Sequence, residues 1–426
     1  MKSPAFKLFA SVITFSMMLG ACSPSASLNM AESNKSRKTN LTIAGDDLIT
    51  LVDGNNAFAL DIYNALHSES GNLILSPYSI SLALAMTYAG ARGETESQIA
   101  QVLHFAPQEQ LHPALNMLDL ALQKESIQMD QTQEPLKLKI ANAVWAEQTT
   151  PFQTDFLDVI AVNYGAGIHL ADFINQAESA RVTINNWVSG QTEDRINDLL
   201  PKDSVGTDTR MVLVNAIYFK ADWLTQFDAN LTNDMPFYLT DGSEVTAKMM
   251  QKEMSGVPYM QGQGYQAVEL AYAGETAAMD IFIPDAGNFE TFETAFNQET
   301  LNETLNEMQP VSIALGMPKF EFSKDFGVSD ALKQLGISDA FDSARADFSG
   351  MTGNKELYIG NVIHKAFVAV NEEGTEAAAA TAVIMEGRSA PRYDVLLQID
   401  RPFIFVIRDT VNGQILFIGR VLNPAE

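Results

Sequence analysis

The sequence predicts an α+β fold. Helical periodicity comes mainly first, strand-like runs crowd the second half, and no regular strand–helix alternation or internal repeat is visible, so the two element types are segregated. With 426 residues, 46% hydrophobic and 19% charged, the chain has ample material for a large core.

Helical patterning begins at residue 46, where Phe58, Ile62 and Leu66 fall four apart on one face. A short apolar strand in Asn72-Leu-Ile-Leu-Ser-Pro-Tyr-Ser-Ile80 runs into Ser76-Pro77. Serine as N-cap with proline at the first helical position starts a helix that continues through 82–88. Gly90 and Gly93 punctuate the chain, and helices follow at 96–105 and 111–124. Alternation over 136–140, continuing into Asn142-Ala-Val-Trp145, predicts a half-buried strand that becomes more buried.

Next come a helix at 155–163, a strand at 167–172 and a helix at 177–190 with Ala177, Ala180, Ile184, Trp187 and Val188 inward. Residues 211–219 form a near-continuous apolar strand with Asn215 inside it, and an amide there must find hydrogen-bond partners or cost stability. Antiparallel hairpins are expected over 235–285, with turns at Asp241-Gly242 and Ala273-Gly274. A helix at 293–308, a strand at 311–322, a short helix at 330–335 and an alternating strand at 362–370 follow. The chain closes with strands at 403–408 and 415–421 around Asn412-Gly413.

The formal net charge is −26, from 53 Asp and Glu against 27 Lys and Arg, which repels polyanions and argues against a nucleic-acid function. Lys2 and Lys7 precede an apolar run over 8–19, so residues 1–21 are expected to be a leader whose removal brings the chain near −28. Leu19-Gly20-Ala21-Cys22 resembles a bacterial lipobox, and Cys22 is the one cysteine in the chain. That predicts cleavage before Cys22, its acylation, and export to a bacterial outer membrane or cell surface. No intrachain disulfide and no cysteine-based metal site is then available. Residues 22–45, rich in Ser, Asn, Lys and Thr, read as the acylated cysteine and a flexible tether, with the folded domain over 46–426.

Enzyme chemistry finds no foothold. His67, His104, His112, His169 and His364 are scattered singly, without metal-ligand spacing, and neither a G-x-S-x-G elbow nor a phosphate-binding loop occurs. The Gly262-Gln-Gly264 stretch reads as a hairpin turn. Neither a cofactor nor a metal is expected.

One stretch stands apart, Gly374-Thr-Glu-Ala-Ala-Ala-Ala-Thr-Ala-Val-Ile-Met-Glu-Gly-Arg-Ser389. Thr375, Ala377, Ala379 and Thr381 would put only small side chains on one face of an extended segment, which could then slip between two strands. The same residues would also suit a short helix capped by Thr375, or a linker. Beyond them, Glu386-Gly387-Arg388-Ser389 offers one basic side chain to a protease with an acidic specificity pocket.

Several stretches together resemble the serpin family over residues 46–426. They are 72–80, Asn215-Ala-Ile-Tyr-Phe-Lys-Ala-Asp-Trp223, Leu335-Gly-Ile-Ser-Asp-Ala-Phe341, Ala346-Asp-Phe-Ser-Gly350, 364–377, Arg401-Pro-Phe-Ile-Phe405 and 417–424. The resemblance implies one α+β domain of three β-sheets and about nine helices, with an exposed reactive-centre loop at 374–389. It implies a suicide inhibitor, not an enzyme: the target protease acylates itself on the loop and is trapped when the loop inserts into the large sheet. The native state would then be kinetically trapped.

The resemblance also carries roles to particular residues. Ser76, Ser79, Asn215 and His364 match the shutter, a polar cluster under the parting strands, and Trp223 matches the breach where insertion begins. Glu372, Gly374, Thr375, Glu376, Ala377, Ala378, Ala379, Ala380 and Thr381 match the hinge. Counting seventeen residues from Glu372 ends on Arg388, so the bait is the Arg388-Ser389 bond, in a local wording similar to antithrombin. Arg392 is a second basic candidate that would need a longer loop.

The expected function is a monomeric, lipid-anchored inhibitor of Arg-specific, trypsin-like serine proteases, with Arg-specific cysteine proteases as additional candidates. A non-inhibitory serpin that binds or transports is the alternative. A hydrolase or glycan-binding lipoprotein is the rival from another class, and no motif supports it.

Overall fold

The computed structural model describes residues 29–125, 136–375 and 393–426. The leader, Cys22, hinge residues Glu376, Ala377, Ala378, Ala379, Ala380 and Thr381, and the Arg388-Ser389 bond lie outside the described residues.

The first half carries β1 (Met30–Ala31), α1 (Gly45–Leu66), β2 (Leu73–Leu75), α2 (Pro77–Tyr88), α3 (Gly93–Val102), α4 (Gln108–Glu125), β3 (Lys137–Glu147), α5 (Thr154–Tyr164), β4 (Ile168–Ala171) and α6 (Phe173–Gln191). The strand-rich middle follows with β5 (Met211–Asp222), β6 (Asn233–Tyr238), β7 (Glu244–Gln261), β8 (Tyr265–Ala271) and β9 (Ala277–Pro284). Then come α7 (Phe289–Ala295), α8 (Gln298–Glu307), β10 (Gln309–Pro318), β11 (Phe320–Gly327), α9 (Val328–Leu335) and α10 (Ser349–Thr352). The chain closes with β12 (Asn361–Val370), β13 (Gly374–Thr375), β14 (Val395–Gln398), β15 (Phe403–Asp409) and β16 (Ile415–Val421).

Seven strands form the large sheet, in the order β1-β4-β3-β5-β13-β12-β11. The other strands form one continuous sheet with β7 as its link: β7 pairs with β6 and β10 along most of its length, and its last residues pair with β8. Beyond β8 run β9, β15, β16 and β2, while β14 lies parallel to β10. Among the described residues the pairing is thus two hydrogen-bonded sheets where the resemblance implied three, because β7 is long enough to belong to both halves of the second.

Helix α2 threads the centre. Ser76 caps it, its hydroxyl accepting from the Ser79 amide at 3.3 Å with Pro77 at the first position, and every residue from Pro77 to Tyr88 is buried. Such a helix has no solvent face, and its few polar side chains, Ser79, Ser81 and Thr87, are hydrogen-bonded inside the protein. Helix α6 lies over one face of the large sheet, burying Phe173, Ala180, Ile184 and Val188 against Ala141, Ala143, Val212 and Val214. It starts four residues before the expected Ala177, because Asp172 caps it and a non-helical Gln176 kinks it.

Other boundaries differ for physical reasons. The single helix expected at 293–308 is two, since Phe296 is extended and Asn297 starts α8 by accepting from the Thr300 amide. The single strand expected at 311–322 breaks at Pro318-Lys319, so that β10 and β11 belong to different sheets.

The tether expected before residue 46 is packed over its described part. Met30 and Ala31 pair with His169 and Ile168 at the edge of the large sheet. Lys35 bridges Asp158 on α5 at 2.7 Å, and Arg37 bonds Asn116 at 2.8 Å and Asp119 at 2.6 Å on α4. Composition gave no sign of this, because the attachment uses individual polar contacts and no apolar stripe.

Candidate functional site

Strands β5 and β12 run parallel and pair directly over Val212–Tyr218 and Asn361–Phe367. Beyond that stretch they admit another strand. Asn371 turns the chain back on itself: its side-chain oxygen accepts from the amides of Glu373 at 2.9 Å and Gly374 at 3.2 Å. Gly374 and Thr375 then run antiparallel to both neighbours, with Gly374 opposite Asp222, and Thr375 opposite Ala221 on one side and Val370 on the other.

The first hinge residues are therefore already strand, where the sequence left strand, helix and linker open. Gly374 is required by the closeness of the approach. A Cβ there would stand 2.1 Å from the Ala221 carbonyl oxygen.

Thr375 is 1% exposed, and its hydroxyl lies 2.7 Å from that of Tyr272. The Tyr272 ring stacks on Trp223, with centroids 4.6 Å apart and planes 7° apart, and Trp223 donates its indole N–H to the Asn371 carbonyl at 3.0 Å. Burial holds the Tyr272 hydroxyl well above the usual phenol range, so it stays protonated and able to donate. The Trp223 amide also donates to Glu373 O, and Phe227 N to Glu372 O, both at 2.8 Å.

Glu372 fastens the foot of the turn, bridging Lys319 at 2.7 Å and accepting from Thr232 at 2.7 Å. Burial alone would raise its carboxyl, but the bonds from Lys319 and Thr232 outweigh it and hold the group below the usual carboxylate range.

Below the seat runs a polar row. Asn142, Asn215 and His364 face each other in register across β3, β5 and β12. The Ser76 amide donates to His364 Nε2 at 3.1 Å, which leaves the proton on Nδ1 to be donated to Asn215 Oδ1. Asn215 Nδ2 donates to Ser79 Oγ and Asn142 Oδ1, both at 2.6 Å; Ser79 Oγ donates to Asn142 Oδ1 at 3.0 Å, and Asn142 Nδ2 to Ser79 O at 2.9 Å. Burial lowers the His364 pKa to about 3, so the neutral imidazole is the form in the row.

Ser76, Ser79, Asn215 and His364 thus come together, and Trp223 lies with the hinge. Sequence reading missed Asn142, Tyr272, Lys319 and Thr232. Asn142 gave the same signal as Asn215, an amide in a largely apolar strand.

The family model described as Serpin (serine protease inhibitor) matches residues 53–424. The leukocyte elastase inhibitor of Xenopus tropicalis is 38% identical over 375 residues, covering 86% of this chain and 97% of that protein. The human leukocyte elastase inhibitor is 36% identical over 389 residues, covering 88% and 99%. Among solved structures, the thermophilic serpin tengpin in its native state superposes with a TM-score of 0.79 at 27% identity, over 92% of this chain and 97% of that one. Uncleaved ovalbumin superposes with 0.77 at 28% identity, over 88% and 100%. With the family model spanning nearly all of the described fold, the chain belongs to the serpin family.

Proposed function

We propose that this serpin is an exported, lipid-anchored inhibitor that traps trypsin-like, Arg-specific serine proteases as a suicide substrate. The observation that carries the reading is Gly374–Thr375 standing as a strand between β5 and β12, which supports insertion of the residues that follow.

The protease serine attacks the Arg388 carbonyl, the Arg388-Ser389 bond breaks, and the new amine on Ser389 leaves with a proton from the protease's histidine. Arg388 remains as an ester on the protease. Water can hydrolyse that ester, or the freed segment can extend β13 down the sheet and carry the protease with it.

Extension has a favourable direction. It replaces one parallel β5–β12 pairing with two antiparallel ones, which gives more ladder hydrogen bonds in the slightly stronger geometry. The small residues Ala377 to Ala380 meet little steric resistance. The cost is opening the polar row, where the Asn215–His364 bond must break. Hydrogen-bonding groups can find new partners in the second arrangement.

Arg388 supplies specificity by pairing with an acid in the protease pocket. Acylated Cys22 would hold the protein at a membrane surface, and the packing of 29–44 on the body leaves only the few residues after Cys22 as spacer.

Titration of trypsin with the protein tests the reading. Residual activity should fall linearly to zero near one inhibitor per enzyme, and Arg388→Ala should abolish the effect. Undiminished inhibition by Arg388→Ala would move the bait to Arg392. Clean cleavage after Arg388 with trypsin left active would favour a non-inhibitory serpin.

A further inference from the structure

Behind the hinge seat, two carboxylates meet a single guanidinium. Arg408 on β15 donates through Nε to Asp280 Oδ2 on β9 at 2.8 Å, and its Nη2 bonds Glu269 on β8. Glu269 and Asp280 stand opposite each other in the β8–β9 ladder. Asp280 is wholly buried, and among the described residues its Oδ1 has no hydrogen-bond partner.

Such an oxygen needs an explanation, because buried polar atoms are almost always paired. Ionised carboxylates only accept hydrogen bonds, so two of them side by side lack a donor between them. One proton supplies it. We propose that Glu269 and Asp280 hold a single exchangeable proton between them, and that its presence sets how firmly the β8–β9 hairpin seats the hinge.

The hairpin is the link. Beyond the Glu269–Asp280 pair come Ala271 opposite Ala278, then Tyr272, whose amide donates to Ala277 O at 3.0 Å. Tyr272 carries the hydroxyl that meets Thr375 and the ring that supports Trp223. With the proton in place, the two carboxylates and Arg408 balance in charge. Without it, an uncompensated negative charge lies in the core, the two strands repel, and Tyr272 shifts relative to Thr375.

A cavity of about 300 Å³ lined by Trp223, Phe227, Glu253 and Glu269 opens this place to solvent and lets the proton exchange. The charged groups facing the pair are Arg408 from β15 and, across the cavity, Glu253 from β7. Asp409, next along β15, is turned to the amides of Val411 and Asn412.

Burial, opposed by Arg408 and reinforced by Glu269, pushes the Asp280 carboxyl up to about 7. Its folded value lies above its unfolded one, so the stabilising contribution is complete at acid pH and is lost as pH rises towards 7. Burial drives His112, His169 and His364 below their ordinary value, so in the folded chain their own transitions lie lower than that of Asp280, while their contribution to stability changes below about pH 6.5 in the opposite sense.

The test needs no protease, so it stands or falls separately from the proposed target. In the full chain carrying Trp145→Phe and Trp187→Phe, Trp223 is the remaining tryptophan and its emission reads the hinge seat. Between pH 5.5 and 8.5 the emission should follow a one-proton titration centred near neutrality, and Asp280→Asn should abolish it. A second measurement covers poor folding of these variants: the urea midpoint of Asp280→Asn minus that of the otherwise unaltered chain, a difference in which the histidine contributions cancel, should rise as pH goes from about 4 to about 7 and level off above, and Glu269→Gln should displace that change. Absence of any titration, or one unmoved by both Asp280→Asn and Glu269→Gln, would overturn the proposal.

Discussion

The hydroxyl of Thr375 lies 2.7 Å from that of Tyr272, beneath a Trp223 ring stacked on the tyrosine. This places a hinge side chain inside the large sheet before any protease has acted.

Thr375→Arg should therefore turn the inhibitor into a substrate. An unpaired guanidinium in that seat costs several kcal/mol as an order of magnitude, so the hinge leaves the seat in the native state and must pay that cost to re-enter, and about 1.4 kcal/mol on the insertion barrier already slows it tenfold. Deacylation would then outrun trapping. Stopped reactions should contain chain cleaved after Arg388, active trypsin and little covalent complex, whereas an unchanged stoichiometry would show that entry at Thr375 does not control trapping.

Asn142→Ala should weaken the native state by roughly 1–3 kcal/mol, because Asn215 Nδ2 and the Ser79 hydroxyl both lose an acceptor in the core. Urea unfolding followed by circular dichroism measures this. A midpoint equal to that of the unaltered chain would mean that the row does not depend on its β3 member.

Acid should destabilise the protein through His364. Its folded pKa of about 3 lies below the unfolded value of about 6.5, so the unfolded chain binds the extra proton first. The stability this group contributes is complete above pH 6.5 and is lost progressively as pH falls towards 3. His364→Gln should flatten that part of the urea-midpoint profile, and an identical acid slope in the variant would assign the loss to other groups, His112 first among them.

Cys22→Ser should release the protein from membranes of the producing cell into the soluble fraction, since several acyl chains anchor firmly and none would remain. Equal membrane association of the variant would remove the lipid from the proposal.

How much of this was legible in the sequence depended on whether a residue's environment is local. Asn215 and His364 announced themselves as polar residues in apolar strands, and Ser76-Pro77 as a helix start, because each signal lies within a few neighbours. Tyr272 looked like one more aromatic at the end of a hairpin. Its meaning comes from Thr375, 103 positions later in the chain. Lys319 is equally mute until Glu372 stands beside it. The break between α7 and α8 was hidden because Phe296 fits a helical apolar stripe, and the N-terminal packing because Arg37 makes its contacts singly with Asn116 and Asp119.

The most direct measurement is a denaturing gel of the protein incubated with trypsin, with mass spectrometry of the released C-terminal peptide. The expected result is a band at the summed mass of protease and inhibitor that survives boiling in detergent, with a released peptide beginning at Ser389. A nicked chain without that band, or a peptide beginning elsewhere, would contradict trapping at Arg388.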